Sequence, residues 1–352
     1  MPDGHATAKT LRTPAALEAA GLVADAASLA PVAARYAIAV TPHVAGLVDR
    51  DDAADPIAAQ YIPHPDETVL RDDEHPDPIG DDAKSPVKGI VHRYPDRALL
   101  KPLLACPVYC RFCFRRESVG PDGGVLSEAE LEAALAYIRA RPAIREVILT
   151  GGDPLMLSPR RLGAILGALD AIPHVELLRI HTRVPVADPG LVTPALAAAL
   201  ETEKPLWLIL HANHARELAP AALAAIGAIR RAGVPLLAQS VLLAGVNDSE
   251  AALEGLFRAL IAARVKPAYL HHLDPAPGTA RFRVPLSRGR ALMKALRGRV
   301  PGHALPTYVV DIPGGAGKVP VAESHAVADG GGWLLTDPAG NPHRLADGNE
   351  SV

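Results

Sequence analysis

Aromatic residues are scarce: Phe, Trp and Tyr together make up 4% of the 352 positions. Leu, Val, Ile and Ala must therefore do most of the packing, and an apolar fraction of 49% is enough for a sizeable core. The length suits one large α/β domain, or one domain with extensions. Charge of one sign is also lacking. A net charge of −3 leaves no footprint for nucleic acid or an acidic membrane. No apolar run is long enough to span a bilayer. Residues 1–11 show no basic region followed by an apolar stretch, which argues against a secretory signal and for a cytoplasmic protein. Cysteine is rare too. The three present, Cys106, Cys110 and Cys113, lie within eight residues. An odd number argues against a closed disulfide framework. Clustering of thiols in a reducing compartment points to metal or redox chemistry.

Three stretches differ in composition. Residues 1–90 are rich in Ala, Pro and Asp and read as a helical and extended arm, with a first helix opening after Thr13. Within it, residues 64–86 are dense in Pro and Asp and read as an extended linker. Over residues 91–300, short apolar runs alternate with amphipathic segments. Strands are expected at 98–105, 146–150, 175–182, 206–211, 235–243 and 267–273. Helices are expected at 128–140, 160–171, 191–201, 220–232, 249–263 and 287–299. Ser127 followed by Glu130 forms a capping-box pattern, and Gly233 stands where a helix C-terminus favours glycine. Residues 301–352 hold a further strand at 307–311, a Gly-rich loop and a tail that reads as a frayed hairpin. Strand–helix alternation implies parallel βαβ units, closed as a barrel or open as a doubly wound sheet. The barrel is favoured because Cys106, Gly151–Asp153, Arg183, His211, Gln239 and Asp274 all fall near C-terminal strand ends, which a barrel gathers into one mouth.

The strongest chemical signal is the C-x3-C-x2-C spacing of Cys106, Cys110 and Cys113. Thiolates are soft ligands that suit iron–sulfur clusters and zinc. On a 4Fe–4S cluster, three thiolates leave one iron open. A structural zinc site wants a fourth protein ligand, and the nearest histidine in sequence is His92. A second signal is Gly151-Gly152-Asp153-Pro154 at the end of an expected strand, where glycines let backbone approach a ligand. Alone, such a motif is usually a turn. The third is Lys318 in Gly314-Gly315-Ala316-Gly317-Lys318, which can deliver an amine for a Schiff base with pyridoxal phosphate. It is not a Walker A loop, because no Ser or Thr follows Lys318 and the glycine spacing is wrong. Alone, a mobile surface loop with a solvated lysine is the commoner meaning.

The cysteine spacing, with Phe112 before the last thiol, resembles the signature of the radical S-adenosylmethionine (SAM) superfamily. There SAM chelates the open iron and is cleaved to a 5′-deoxyadenosyl radical. Four motifs in order, Val91–Arg97, the cysteine run with Arg115-Arg116, Thr150-Gly-Gly-Asp-Pro-Leu155 and Asp311-x-Pro-Gly-Gly-x-Gly-Lys318, resemble the lysine 2,3-aminomutase family across roughly residues 55–325. The resemblance implies a partial (β/α)6-type radical SAM barrel with an N-terminal arm and a small C-terminal extension. It implies three cofactors: a 4Fe–4S cluster on Cys106, Cys110 and Cys113, SAM, and pyridoxal phosphate on Lys318. By position, Arg97 contacts the pyridoxal phosphate group, while Gly151, Gly152, Asp153, His211 and Gln239 contact SAM. Arg115 grips the substrate carboxylate, in keeping with bidentate guanidinium geometry, and Asp274 and Asp311 hold the distal ammonium.

The implied reaction moves the α-amino group of L-lysine to C3, giving β-lysine. Two like charges about 4 Å apart cost roughly 4 kcal/mol at an effective dielectric near 20, so paired aspartates disfavour glutamate as substrate. Arginine and ornithine stay open. The resemblance also implies a reductant such as flavodoxin or ferredoxin. Long members of the family carry further C-terminal cysteines for an interface zinc; this sequence has none, which leans to the short branch that makes β-lysine for elongation factor P. A homo-oligomer stays open. So do a radical SAM enzyme of other activity, an iron–sulfur electron carrier and a zinc-stabilised structural protein.

Overall fold

The computed structural model describes residues 9–120 and 123–346. Most of the segment read for a leader, and the tail beyond residue 346, lie outside the described residues.

A nine-stranded sheet forms the centre, with strands in sequential order. They are β1 (Ile90–Tyr94), β2 (Arg97–Leu103), β3 (Glu146–Gly151), β4 (Leu177–Thr182), β5 (Leu206–His211), β6 (Leu236–Val241), β7 (Lys266–His271), β8 (Thr307–Ile312) and β9 (Gly317–Pro320). Strands β2 to β8 run parallel, while β1 and β9 close the two edges antiparallel. The sheet curls until its edges face each other. Lys318 N on β9 donates to Tyr94 Oη on β1 at 2.9 Å. This is a barrel-like α/β architecture, as the strand–helix alternation implies.

Strand periodicity decides what faces the interior. On β4, Leu178 and Ile180 are fully buried against the outer helices, which puts Arg179 and His181 on the other face. On β7, Leu270 packs outward into the same core, leaving Tyr269 and His271 inside. The interior is therefore polar, in a sheet whose outer face is aliphatic. Four of the six expected helices, at 128–140, 160–171, 220–232 and 249–263, lie within one residue of their expected bounds, while that expected at 287–299 ends at Ala295. Helix Glu128–Arg139 carries the Ser127/Glu130 capping box, with bonds of 3.2 and 2.8 Å.

Three expectations need correction. Residues 191–201 form only a 3-10 turn, Pro189–Leu191, and a five-residue helix, Pro194–Ala198. Pro194 restricts Thr193 to extended backbone, so a helix cannot run through it. The C-terminal hairpin has a third strand: β10 (Ala326–Ala328), β11 (Gly332–Thr336) and β12 (Pro342–Ala346) form an antiparallel meander. The Gly-rich loop is not a free loop. Gly314 and Gly315, both at positive φ, turn the chain so that β9 pairs back on β8 with Lys318 opposite Asp311.

The arm contains four short helices, Pro14–Ala19, Ala30–Arg35, Pro42–Leu47 and Pro56–Tyr61, each with proline in its first two positions. Leu17, Val40, Val44, Ile57 and Tyr61 pack into a core that also takes in Val108 after β2 and Ala187 after β4. Residues 64–86, read as a linker, are pinned across the strand ends. His75 N donates to Pro275 O at 2.9 Å, and Gly278 N donates to Glu74 Oε2 at 3.0 Å. Glu67 is wholly buried, ion-paired with Arg111 and Arg116. Among the described residues no helix is long and apolar enough to cross a membrane.

Candidate active site

A cavity of about 600 Å³ runs through the barrel interior to the C-terminal strand ends. Every site candidate read from the sequence lines it: the three cysteines, Arg97, Arg115, Gly151, Gly152, Asp153, His211, Gln239, Asp274, Asp311 and Lys318.

The thiols lie on the loop after β2. That loop is held from the arm: Tyr109 N donates to Ala39 O at 3.0 Å, and Arg111 N donates to Gln60 O at 2.8 Å. Arg111 adds its buried pair with Glu67 and a 2.7 Å bond to Ala37 O. Burial, and then the charge of neighbouring Cys110, push the Cys113 thiol up to about 11, so the thiolates need a cationic partner. Among the described residues no three His, Cys, Asp or Glu side chains converge as one metal ion requires. Three thiolates lining one cavity suit three irons of a 4Fe–4S cluster. Arg183 Nη1 stands 3.3 Å from Cys110 Sγ, and its other nitrogen reaches Gln60 and Glu217.

The Gly151-Gly152-Asp153 motif has a structural demand of its own. A side chain on Gly152 would collide with the backbone of Leu104 and Ala105, so the second glycine lets the β3 end pack on the cluster loop. The close approach expected toward a ligand is here made toward the chain itself. Asp153 is buried and accepts from Thr182 Oγ1 (2.7 Å), Arg183 N (2.6 Å), Val184 N (3.0 Å) and Leu155 N (3.1 Å). Those four bonds use all its lone-pair directions. A cofactor amine near Asp153 must therefore exchange with one of them or meet the backbone.

His211 and Gln239 are paired in register on β5 and β6. Burial drives the His211 pKa well below its ordinary value, and its Nε2 has no hydrogen-bond partner among the described residues. His181 on β4 is in the same condition: neutral through burial, lining the cavity, with Nε2 unpartnered. Buried polar atoms without partners are rare. Two of them facing one cavity fit a site built for ligands with hydrogen-bonding groups.

Lys318 Nζ lies 3.3 Å from Asp311 Oδ2 and 3.3 Å from His271 Nδ1, with the Tyr269 ring centroid at 5.1 Å. Burial lowers the Lys318 pKa, although Asp311 opposes it, which favours the neutral amine that a Schiff base needs. Burial would raise Asp311, but its bonds with His271 and Lys318 hold it at about 2. Asp274 lacks such support. Burial and then the Asp311 charge push its carboxyl up to about 7. At the N-terminal strand ends, Arg97 and Arg179 converge on Glu146 at 3.9 and 2.9 Å. Arg97 also pairs with Asp96 and stacks on Tyr94. Arg115 is fixed by Asp81, with Nε at 2.9 Å and Nη2 at 2.8 Å.

Sequence reasoning missed His181, His271, Arg179, Arg93 and Asp81. Arg179 and His181 had a usable signal, polar residues two apart in an apolar strand. Asp81 had none, because its partners are distant in sequence.

A Radical SAM superfamily model matches residues 100–254, and a lysine-2,3-aminomutase model matches residues 293–331. The L-lysine 2,3-aminomutase of Fusobacterium nucleatum is 41% identical over 308 residues, covering 88% of this chain and 70% of that protein. That of Acetoanaerobium sticklandii is 39% identical over 291 residues, covering 83% and 70%. The glutamate 2,3-aminomutase of Clostridioides difficile is 35% identical over 305 residues, covering 86% and 72%. The chain belongs to the lysine 2,3-aminomutase family of the radical SAM superfamily.

Proposed function

We propose that the protein is a lysine 2,3-aminomutase, moving the α-amino group of L-lysine to C3 to give β-lysine. The observation that carries the choice of substrate is the pair Asp274 and Asp311 beside Lys318, in one cavity with Arg115. An anion-binding and a cation-binding group in one enclosed space suit an amino acid with a distal ammonium. Paired carboxylates repel the side chain of glutamate, which is what the C. difficile relative is named for.

When bound, the cluster with SAM supplies a carbon radical, and pyridoxal phosphate supplies a ring that stabilises the migrating centre. The chain's own residues bind and orient. Cys106, Cys110 and Cys113 hold the cluster. Gly151, Gly152, Asp153, His211 and Gln239 form the SAM wall. Lys318 anchors pyridoxal phosphate, with Arg97 and Arg179 toward its phosphate. Arg115 takes the substrate carboxylate, and Asp274 and Asp311 its distal ammonium. His271 Nδ1 stands 3.3 Å from both Asp311 Oδ2 and Lys318 Nζ, so it can share a proton with the Lys318 amine.

In a cell, this activity needs a one-electron reductant such as flavodoxin or ferredoxin. The short-branch resemblance points to the cytoplasm and to the enzymes that modify elongation factor P as users of β-lysine. A homo-oligomer is compatible with the fold. The test is an anaerobic assay with lysine, SAM, pyridoxal phosphate and dithionite, run beside glutamate and arginine. β-Lysine should form from lysine alone. Faster turnover of glutamate or arginine overturns the substrate assignment.

A further inference from the structure

We propose that Asp81 and Arg93 form a strut that fixes the separation between the two ends of the substrate site, so that a segment outside the barrel helps to set which diamino acid is accepted. This rests on the reading of Arg115 and Asp311 as substrate contacts.

Four side chains alternate in sign. Asp81 Oδ2 receives Arg115 Nε and Nη2 at 2.9 and 2.8 Å. Asp81 Oδ1 receives Arg93 Nη2 at 3.1 Å, and Arg93 Nη1 stands 3.7 Å from Asp311 Oδ1. Their side chains are 7–14% exposed, so solvent screens these contacts little. One end of the chain is the proposed carboxylate grip, and the other is the proposed ammonium grip.

The middle of the chain is braced by backbone. Arg93 Nη2 also donates to Ile79 O at 2.7 Å, and Asp81 N donates to Asp77 Oδ1 at 2.8 Å. Gly80 presses on the turn after β8, where a Cβ would lie 2.7 Å from Gly314 C. Asp81 is thus tied to the arm, to β1 and to the turn that leads to Lys318. A carboxylate needed only to neutralise Arg115 would not require this bracing. Asp81 and Arg93 are positioning residues, because they act through Arg115 and Asp311.

The test uses cluster-loaded enzyme carrying pyridoxal phosphate, without SAM. The absorbance of the bound ring is titrated with L-lysine, with 1,5-diaminopentane, which lacks the carboxylate, and with norleucine, which lacks the distal ammonium. In the unmodified enzyme lysine should bind more tightly than either. If all three bind alike, the reading of Arg115 and Asp311 fails, whatever Asp81 does. With that in place, Asp81→Asn should weaken lysine and norleucine about tenfold and leave diaminopentane within about twofold, since small misplacements of a binding group carry penalties of this order. Equal weakening of all three, or of none, overturns the strut. Arg93→Lys keeps a cation that cannot span both carboxylates, and it serves if Asp81→Asn does not fold. It should narrow the preference for lysine over ornithine by about tenfold, and an unchanged preference overturns the proposal.

Discussion

The two ends of the cavity are assembled in opposite ways. The thiols come from eight consecutive residues on one loop. At the substrate end the groups come from the arm (Asp81), the cluster loop (Arg115), β7 (His271), the loop after it (Asp274), β8 (Asp311) and β9 (Lys318). A site made from one loop announces itself by spacing. A site made from six elements exists only when the sheet has its register. Both ends nevertheless lean on a carboxylate from the same segment, Glu67 behind the thiols and Asp81 behind Arg115.

The sharpest way to break this comparison is to remove one anchor at each end. Lys318→Ala should abolish activity and the absorbance of bound pyridoxal phosphate while iron and sulfide stay stoichiometric. Cys113→Ala should abolish activity and labile sulfide while the pyridoxal absorbance stays. Loss of both cofactors in either variant would mean that the two ends are not independent.

The next largest effect is expected at Glu67. Glu67→Gln leaves Arg111 and Arg116 buried without their anion, and breaking a buried pair costs about 3–5 kcal/mol. Urea unfolding should register that loss, and iron content should fall before pyridoxal content does.

A pH series sharpens the substrate end. Asp274, with its carboxyl near 7, holds an ammonium only when ionised. The ratio of lysine to norleucine affinity should therefore fall by up to about tenfold per pH unit below 7, and Asp274→Asn should give a low, flat ratio. Using the ratio cancels the titration of the α-amine that both ligands share. Far from either end, Ser127→Ala removes a helix cap and should cost about 1 kcal/mol of stability with no change at the site.

Much of the fold was legible. Strand β5 spans the residues expected of it, and helix 220–232 ends within one residue of expectation. The helix has a repeating apolar face, and β5 is a continuous apolar run that ends at His211. The parts that were not legible have physical reasons. Strand β9 is four residues containing Gly and Pro, too short for alternation to appear, and it exists because β8 offers an edge. Glu67 and Asp81 lie in the Pro- and Asp-rich stretch read as an extended linker, where nothing local reveals a buried guanidinium waiting opposite. The motif gave no sign that Asp153 also accepts from the backbone amides of Arg183 and Val184 at the end of β4, bonds that only the fold supplies.

The sequence by itself carried the cofactor chemistry, because four motifs in one order resemble those of a single family and each motif is a few neighbouring residues. Tertiary structure alone decided how the substrate end is built. Which charges meet there depends on strand register and on a segment folded back over the barrel, and no short stretch of chain contains that information.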